Sequence, residues 1–307
     1  MRSAAIGAVI HLPLRPLLRG LSLFALIALP LVLGACRRKA PAIDLEAYPA
    51  QLGEAREALR SGAAAEGEAL YRSWLAEHPS DIEALRGIQD ALSKQRRNDQ
   101  LMEEAAARVA RAPDSAPAHY LLARAKITTG KPARSELDRS LALDPSFTWA
   151  WAARCYLPLK RDLAEGIGAD VGGAVSCLKQ CMESPAAGLP CASRLGQLLY
   201  ESGLAIEARR VVLDARKRWP RDPGLVALLG MIDVDMGRYS EGALYLEAAL
   251  AAHPAEPEWC FFAAGALFRD REPAERWRPY FDCAQRFGYP ITDEDRVFFG
   301  IIDGPAL

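Results

Sequence analysis

Two stretches of this chain can be laid over one another at a fixed offset. Leu195, Gly196, Gly203, Ala208, Val212, Ala215 and Pro220 recur 34 residues later as Leu229, Gly230, Gly237, Gly242, Leu246, Ala249 and Pro254. A constant period of this length points to an array rather than one large core, because each unit is a supersecondary element that stacks on the next. The recurring residues say what the unit is. Small residues at Gly196 and Ala208, and at Gly230 and Gly242, let two antiparallel helices approach closely. Gly203 and Gly237 suit the turn between them, and each proline stops the second helix. The prolines continue upstream: Pro79, Pro113, Pro145, Pro185, Pro220 and Pro254 stand 34, 32, 40, 35 and 34 residues apart.

These columns resemble the tetratricopeptide repeat, whose pattern is W-x2-L-G-x2-Y…A-x3-F…P. The resemblance is strongest over residues 188–256 and extends across about residues 48–290. It implies an all-α fold, a right-handed α-solenoid of six to seven TPR-like helical hairpins. The units fall at about 48–81, 82–115, 116–147, 148–187, 188–222, 223–256 and 257–290, with residues 291–307 as a C-terminal tail or cap. The 82–115 unit lacks a clear turn glycine. The 148–187 unit is the longest and carries "PLKRDLAEGIGADVGG", residues 158–173, expected as a loop at one edge. Stacked hairpins leave a concave groove lined by the first helix of each pair. Tyr120, Arg124, Trp149, Tyr156, Gln197, Tyr200, Met231 and Asp235 are the residues expected to face it and meet a partner. The competing reading of each is an exposed helix residue that binds nothing.

The N-terminus has a separate pattern. Arg2, Arg15 and Arg19 precede an uncharged run from Leu21 to Ala35, which reads as a positive n-region, a short apolar core and a small-residue cleavage site over residues 1–35. A permanent spanning helix is the weaker reading, since a span needs about 20 apolar residues and Pro30 interrupts this run. Leu33-Gly34-Ala35-Cys36 resembles a bacterial lipobox. The resemblance implies that Cys36 is lipidated and becomes the first mature residue, with residues 36–47 as a tether; a chance cysteine is the alternative. Several acyl chains hold a protein to a membrane effectively permanently, where one is marginal. Arg37 after the cysteine, by the same resemblance, favours the outer membrane with the chain facing the periplasm. Proteins of this kind serve pilus assembly, outer-membrane protein insertion, secretion or cell-wall synthesis, so the expected partners are other envelope proteins or peptides.

Removing residues 1–35 takes away three arginines and no acid, leaving 35 basic against 39 acidic residues, a net charge of −4. No nucleic-acid partner is expected from that balance. Catalysis and cofactors are not expected either. His78 and His253 each precede a helix-ending proline, His119 stands alone, and no Ser/His/Asp or Cys/His constellation is readable. "GIGADVGG" lacks the strand and spacing of a dinucleotide loop. Asp233-Val-Asp235-Met-Gly237 lacks the last carboxylate of a calcium loop, Leu244 standing in its place.

Six cysteines follow Cys36. An even number in an exported chain favours disulfides. In an antiparallel helix pair, residues equally far from the turn lie at one height, within the roughly 7 Å that a bridge allows between Cα atoms. Cys260 and Cys283 flank the turn of the last hairpin almost symmetrically, Cys155 and Cys177 flank the long insertion, and Cys181 ends a helix that abuts the next near Cys191. The pairs expected are therefore 260–283, 155–177 and 181–191. Two alternatives stand beside them: buried thiols acting as small core residues, and an envelope redox or metal-binding module built from Cys155, Cys177, Cys181 and Cys191.

Overall fold

The computed structural model of the chain describes residues 43–45, 49–164, 170–183 and 188–302. The export segment 1–35, Cys36 and residues 165–169 of the long insertion lie outside the described residues. Within them the fold is all-α and follows the repeat. Seven helix pairs run in chain order: α1 (Ala50–Arg60) with α2 (Ala64–Glu77), α3 (Ile82–Lys94) with α4 (Asn98–Arg111), α5 (Ala116–Thr128) with α6 (Arg134–Leu143), α7 (Thr148–Ala164) with α8 (Val171–Glu183), α9 (Leu189–Glu201) with α10 (Ala205–Arg218), α11 (Pro223–Asp235) with α12 (Tyr239–Ala252), and α13 (Pro257–Arg269) with α14 (Ala274–Arg286). A short α15 (Asp293–Phe298) follows.

The second, third, fifth, sixth and seventh hairpins turn by the same local chemistry. After α9 the chain enters the left-handed region at Gly203 (φ +77°), and the Leu204 N–H returns to the Leu199 carbonyl at 2.9 Å, closing the first helix. The second hairpin has no glycine there. Arg96 adopts φ 57° instead, and the Arg97 N–H reaches Leu92 O at 2.9 Å, so the repeat's turn forms at a side-chain-bearing residue. First helices start on capping side chains where the sequence provides them. Asp81 Oδ1 accepts from the Glu83 and Ala84 N–H groups, and Asp222 Oδ1 accepts from Leu225. Second helices end one residue before the proline ladder, at the C-caps His78, Ala112, Asp144, Trp219 and His253.

The long unit departs from expectation. The insertion does not form only an edge loop: α7 runs on to Ala164 and reaches 17 residues, and α8 resumes at Val171. Residues 157–164 carry three leucines with Lys160 and Arg161, which lose little on entering a helix, and they continue the preceding helix despite Pro158.

Burial follows the stacking. Hairpins four to seven share one large core that includes Leu178, Leu195, Val212, Leu229, Ile232 and Leu246, while the first two hairpins have their own around Leu52, Tyr71, Ile88, Leu92 and Leu101. Leu121, Leu137 and Ala150 bridge them through the third hairpin. Eleven of the thirteen residues of α11 are buried, because α9, α10, α12 and α13 all pack against it. At the far end Phe299 packs into a cage of Phe261, Phe268, Trp277 and Phe281, so the segment after the seventh hairpin closes the exposed end of that core.

The array curves back onto itself. Arg56 of α1 donates to Glu256 Oε1 at 3.0 Å, Arg60 lies 2.5 Å from Glu256 Oε2, and Glu57 accepts from Arg286 at 2.9 Å, across separations of about 200 residues. Ile43 and Leu45 pack against the C-terminal core, and Asp44 pairs with Arg221 at 3.3 Å. An open groove is what the repeat alone leads one to expect. In the structure the first hairpin meets the junction of the sixth and seventh.

Candidate functional site

Closure turns the groove into a cavity of about 550 Å³, within the roughly 300–1,000 Å³ typical of ligand pockets. Its wall is drawn from the first helices of the hairpins, which Arg56, Arg86, Arg124, Trp149, Arg194 and Trp259 represent. Repeat geometry explains why charged and aromatic residues gather there. In each first helix one face meets its hairpin partner, the flanks meet neighbouring hairpins, and the remaining face is left to the interior of the curve.

Two aromatic residues of α7, Trp149 and Tyr156, form the centre of this wall. They stand seven residues apart, two helical turns, hence about 10 Å along the axis. Each carries an arginine from a different hairpin. The Arg86 guanidinium lies 3.9 Å from the Trp149 ring centre, and that of Arg194 lies 4.6 Å from Tyr156. Such cation–π contacts contribute roughly 0.5–2 kcal/mol. Arg194 also donates to Gln197 Oε1 at 3.1 Å. Arg86 Nε is buried and finds no acceptor, and burial pulls the Arg86 pKa below the usual arginine value.

The other charges of the wall are paired. Arg124 forms an ion pair with Asp90 and donates to Gln89 Oε1 at 3.1 Å. Glu256 is shared by Arg56 and Arg60, and Asp222 caps α11. His253 takes the Arg56 guanidinium at its Nδ1, 2.8 Å away, and burial together with Arg56 and Arg60 pushes its pKa down to about 4.

Of the residues expected in the groove, Tyr120, Arg124, Trp149, Tyr156 and Gln197 line the cavity. Tyr120 does so from the core: it is 3 % exposed and meets Phe147 edge-on at 5.5 Å. Tyr200, Met231 and Asp235 do not line it. Met231 is only 6 % exposed because α9, α10, α12 and α13 all pack against α11. Tyr200 donates its hydroxyl to Asp235 Oδ2 at 2.6 Å, and burial and this bond push the phenol's pKa up. Sequence reasoning passed over Arg56, Arg86, Arg194, His253 and Glu256. A signal for two of them was present. One period before Tyr120 and Arg124 stand Arg86 and Asp90, and one period before Asp90 stands Arg56.

The six cysteines meet as Cys155–Cys177, Cys181–Cys191 and Cys260–Cys283, with Cα separations of 5.5, 6.3 and 5.9 Å. The four-cysteine metal alternative needs free thiolates that these pairings consume. Among the described residues no group of three or more His, Cys, Asp or Glu is arranged to hold a metal ion.

No protein-family model matches the sequence, and no curated protein does. Solved structures do match in fold. One is a chain of the APC/C hetero-tetramer Cut9–Hcn1, similar at 15 % identity with a TM-score of 0.54 over 78 % of this chain; this chain spans 46 % of that one. A tetratricopeptide repeat protein from Parabacteroides merdae aligns over 82 % of this chain and 97 % of its own, at 13 % identity and TM-score 0.49. The Pseudomonas aeruginosa pilF protein aligns over 65 % and 90 %, at 20 % identity and TM-score 0.48. At such identities the likeness is one of fold, a TPR-like solenoid.

Proposed function

We propose that this chain is a non-enzymatic scaffold, anchored by lipid on Cys36 to the bacterial outer membrane and facing the periplasm, whose cavity holds a segment of another envelope protein. The observation that carries the binding half is the wall itself. First helices from across the array converge on one cavity and present Trp149, Tyr156 and several arginines rather than an acid–base pair. Large rigid aromatics and arginines are the side chains that dominate binding energy at protein interfaces. The anchoring half rests on the sequence pattern that ends at Cys36.

Two experiments test the halves separately. A photo-crosslinking residue at Ala153, on the cavity wall, is expected to capture a defined segment of a specific envelope partner in intact cells; labelling confined to bulk lipid or solvent would sink the scaffold reading. Radioactive fatty acid is expected to label the parent chain and not Cys36→Ser. Equal incorporation in both would remove the anchor and leave the cavity reading untouched.

A further inference from the structure

Arg86 and Arg194 differ from every other arginine of the cavity wall. Arg56 has Glu256, and Arg124 has Asp90. Arg86 and Arg194 have no carboxylate within ion-pair distance among the described residues. The acids whose charges act on Arg86 are Asp90 and Glu83; Asp90 is bonded to Arg124, and Glu83 lies 4.0 Å from Arg56. A partly desolvated cation without a counter-charge is costly unless something supplies one.

The stacking explains how each is kept ready. A guanidinium is planar, with its N–H donors in the plane and a weakly hydrated face. Trp149 and Tyr156 take the faces at 3.9 and 4.6 Å, which leaves the terminal nitrogens of Arg86, whose Nε is buried, and the donors of Arg194 not given to Gln197 for an acceptor in that plane. Both arginines line the same cavity. The two aromatic platforms that hold them are two turns, about 10 Å, apart along α7. Three residues of extended or polyproline-like chain span the same distance, at about 3.1–3.4 Å each.

Resting on the reading that the cavity binds a partner segment, we infer that the segment is acidic: an extended stretch with two Glu or Asp side chains three positions apart, one accepting from Arg86 and the other from Arg194, its remaining residues lying over Trp149 and Tyr156. The recognition is of side chains within a chain and needs no free terminus. Charge-assisted bonds from arginine to carboxylate favour two parallel N–H···O contacts, which a lysine or amide does not reproduce.

The test uses the full chain in detergent and three acetylated, amidated ten-residue peptides of one sequence, carrying at the two positions Glu, Gln or Lys. Calorimetric titration is expected to give the Glu peptide at least tenfold tighter binding than the Gln peptide, a difference of about 1.4 kcal/mol, with affinity falling as salt rises. Arg86→Gln and Arg194→Gln are each expected to remove the part of that preference owed to its own carboxylate, and the double substitution to erase it, while the Gln peptide binds as before. Arg86→Lys keeps the charge without the planar fork and is expected to recover only part of the preference. Should Arg86→Gln fail to fold, Arg194→Gln alone carries the comparison. Equal binding of all three peptides, or preference for Lys, overturns the inference while leaving a peptide-binding cavity in place. No binding by any peptide overturns it too; the crosslink at Ala153 then says whether the cavity reading falls with it.

Discussion

The guanidinium of Arg56, in the first helix, lies 2.8 Å from Nδ1 of His253, 197 residues downstream. An arginine only donates, so this contact requires a histidine whose Nδ1 carries no proton. The closure of the array therefore depends on one imidazole staying neutral. Burial, then Arg56 and Arg60, hold its pKa near 4, against about 6.5 for an unperturbed histidine. Between those values the unfolded chain binds the proton and the folded chain does not, so stability falls as pH drops through that window and levels off below it. We predict a lower melting temperature at pH 5 than at pH 7.5. Glu258, whose pKa is raised by burial and then by Glu201 and Glu256, works in the opposite sense as pH rises. The comparison is therefore with His253→Gln, whose amide oxygen accepts from Arg56 at any pH. Parent and variant melting curves that fall in parallel would show that another group is responsible.

Glu256 is the second element of the closure. Its carboxylate is only 12 % exposed and takes Arg56 through one oxygen and Arg60 through the other. Replacing it by Gln leaves two arginines facing each other's charge with half the acceptors, for an expected loss of about 1–3 kcal/mol. Urea titrations of parent and Glu256→Gln should also differ in salt response, the parent losing more stability between low and high salt. Identical midpoints at both salt levels would mean that Glu256 contributes nothing and that the Arg56–His253 and Glu57–Arg286 contacts, with the apolar packing of Ile43 and Leu45, hold the first hairpin.

The close crossing of α11 and α12 makes a third prediction. A Cβ on Gly242 would stand 2.9 Å from the Gly230 carbonyl oxygen, and one on Gly230 would stand 3.0 Å from that of Gly242. Backbone cannot yield as a side chain can, so Gly242→Ala should cost about 1–3 kcal/mol despite its better helix propensity. Gly265, in α13, has nothing within 4 Å of an added Cβ. Gly265→Ala should instead gain roughly 0.5–1 kcal/mol. Thermal melts that moved the same way for both substitutions would contradict this account of the 34-residue period.

What the sequence revealed, and what it hid, follow from the range of the forces involved. Turn glycines, ladder prolines and the small residues at Gly230 and Gly242 act within one hairpin, so they repeat and can be read. Even the turn at Arg96, where glycine is missing, is set by its neighbours in the array. Closure is different. Whether Arg56 reaches His253 depends on a small rotation summed over seven hairpins, and no single residue records that sum. The cavity wall shows the same division. Trp149 and Tyr156 were visible as aromatics on a first helix, whereas Arg86 and Arg194 are distinctive only through the fold, each stacked on a ring with no ion-paired carboxylate among the described residues. Met231 does not reach the cavity because neighbouring helices enclose the middle of α11, leaving only its ends open, Pro223 and Gly224 at the cavity and Asp235 at the surface.

The disulfides give the last prediction, because their places differ. Cys260–Cys283 joins the two helices of the seventh hairpin and Cys155–Cys177 joins α7 to α8, whereas Cys181–Cys191 crosses from the fourth hairpin to the fifth. Each bridge is expected to contribute about 2–4 kcal/mol. The mechanical consequence depends on what the bridge spans. With Cys260→Ser and Cys283→Ser together, amide exchange should rise in α13 and α14 and in α15, whose Phe299 rests on Trp277 and Phe281 of that hairpin. With Cys181→Ser and Cys191→Ser, exchange should rise on both sides of the seam, in α8 and α9, and leave the seventh hairpin protected. Digestion of the non-reduced chain, with linked peptides mapped by mass spectrometry, checks the pairings first. Six free thiols after careful trapping would remove the bridges. Uniform deprotection of the whole array in either double variant would show that the hairpins unfold as one unit, and that the bridges add stability without dividing it.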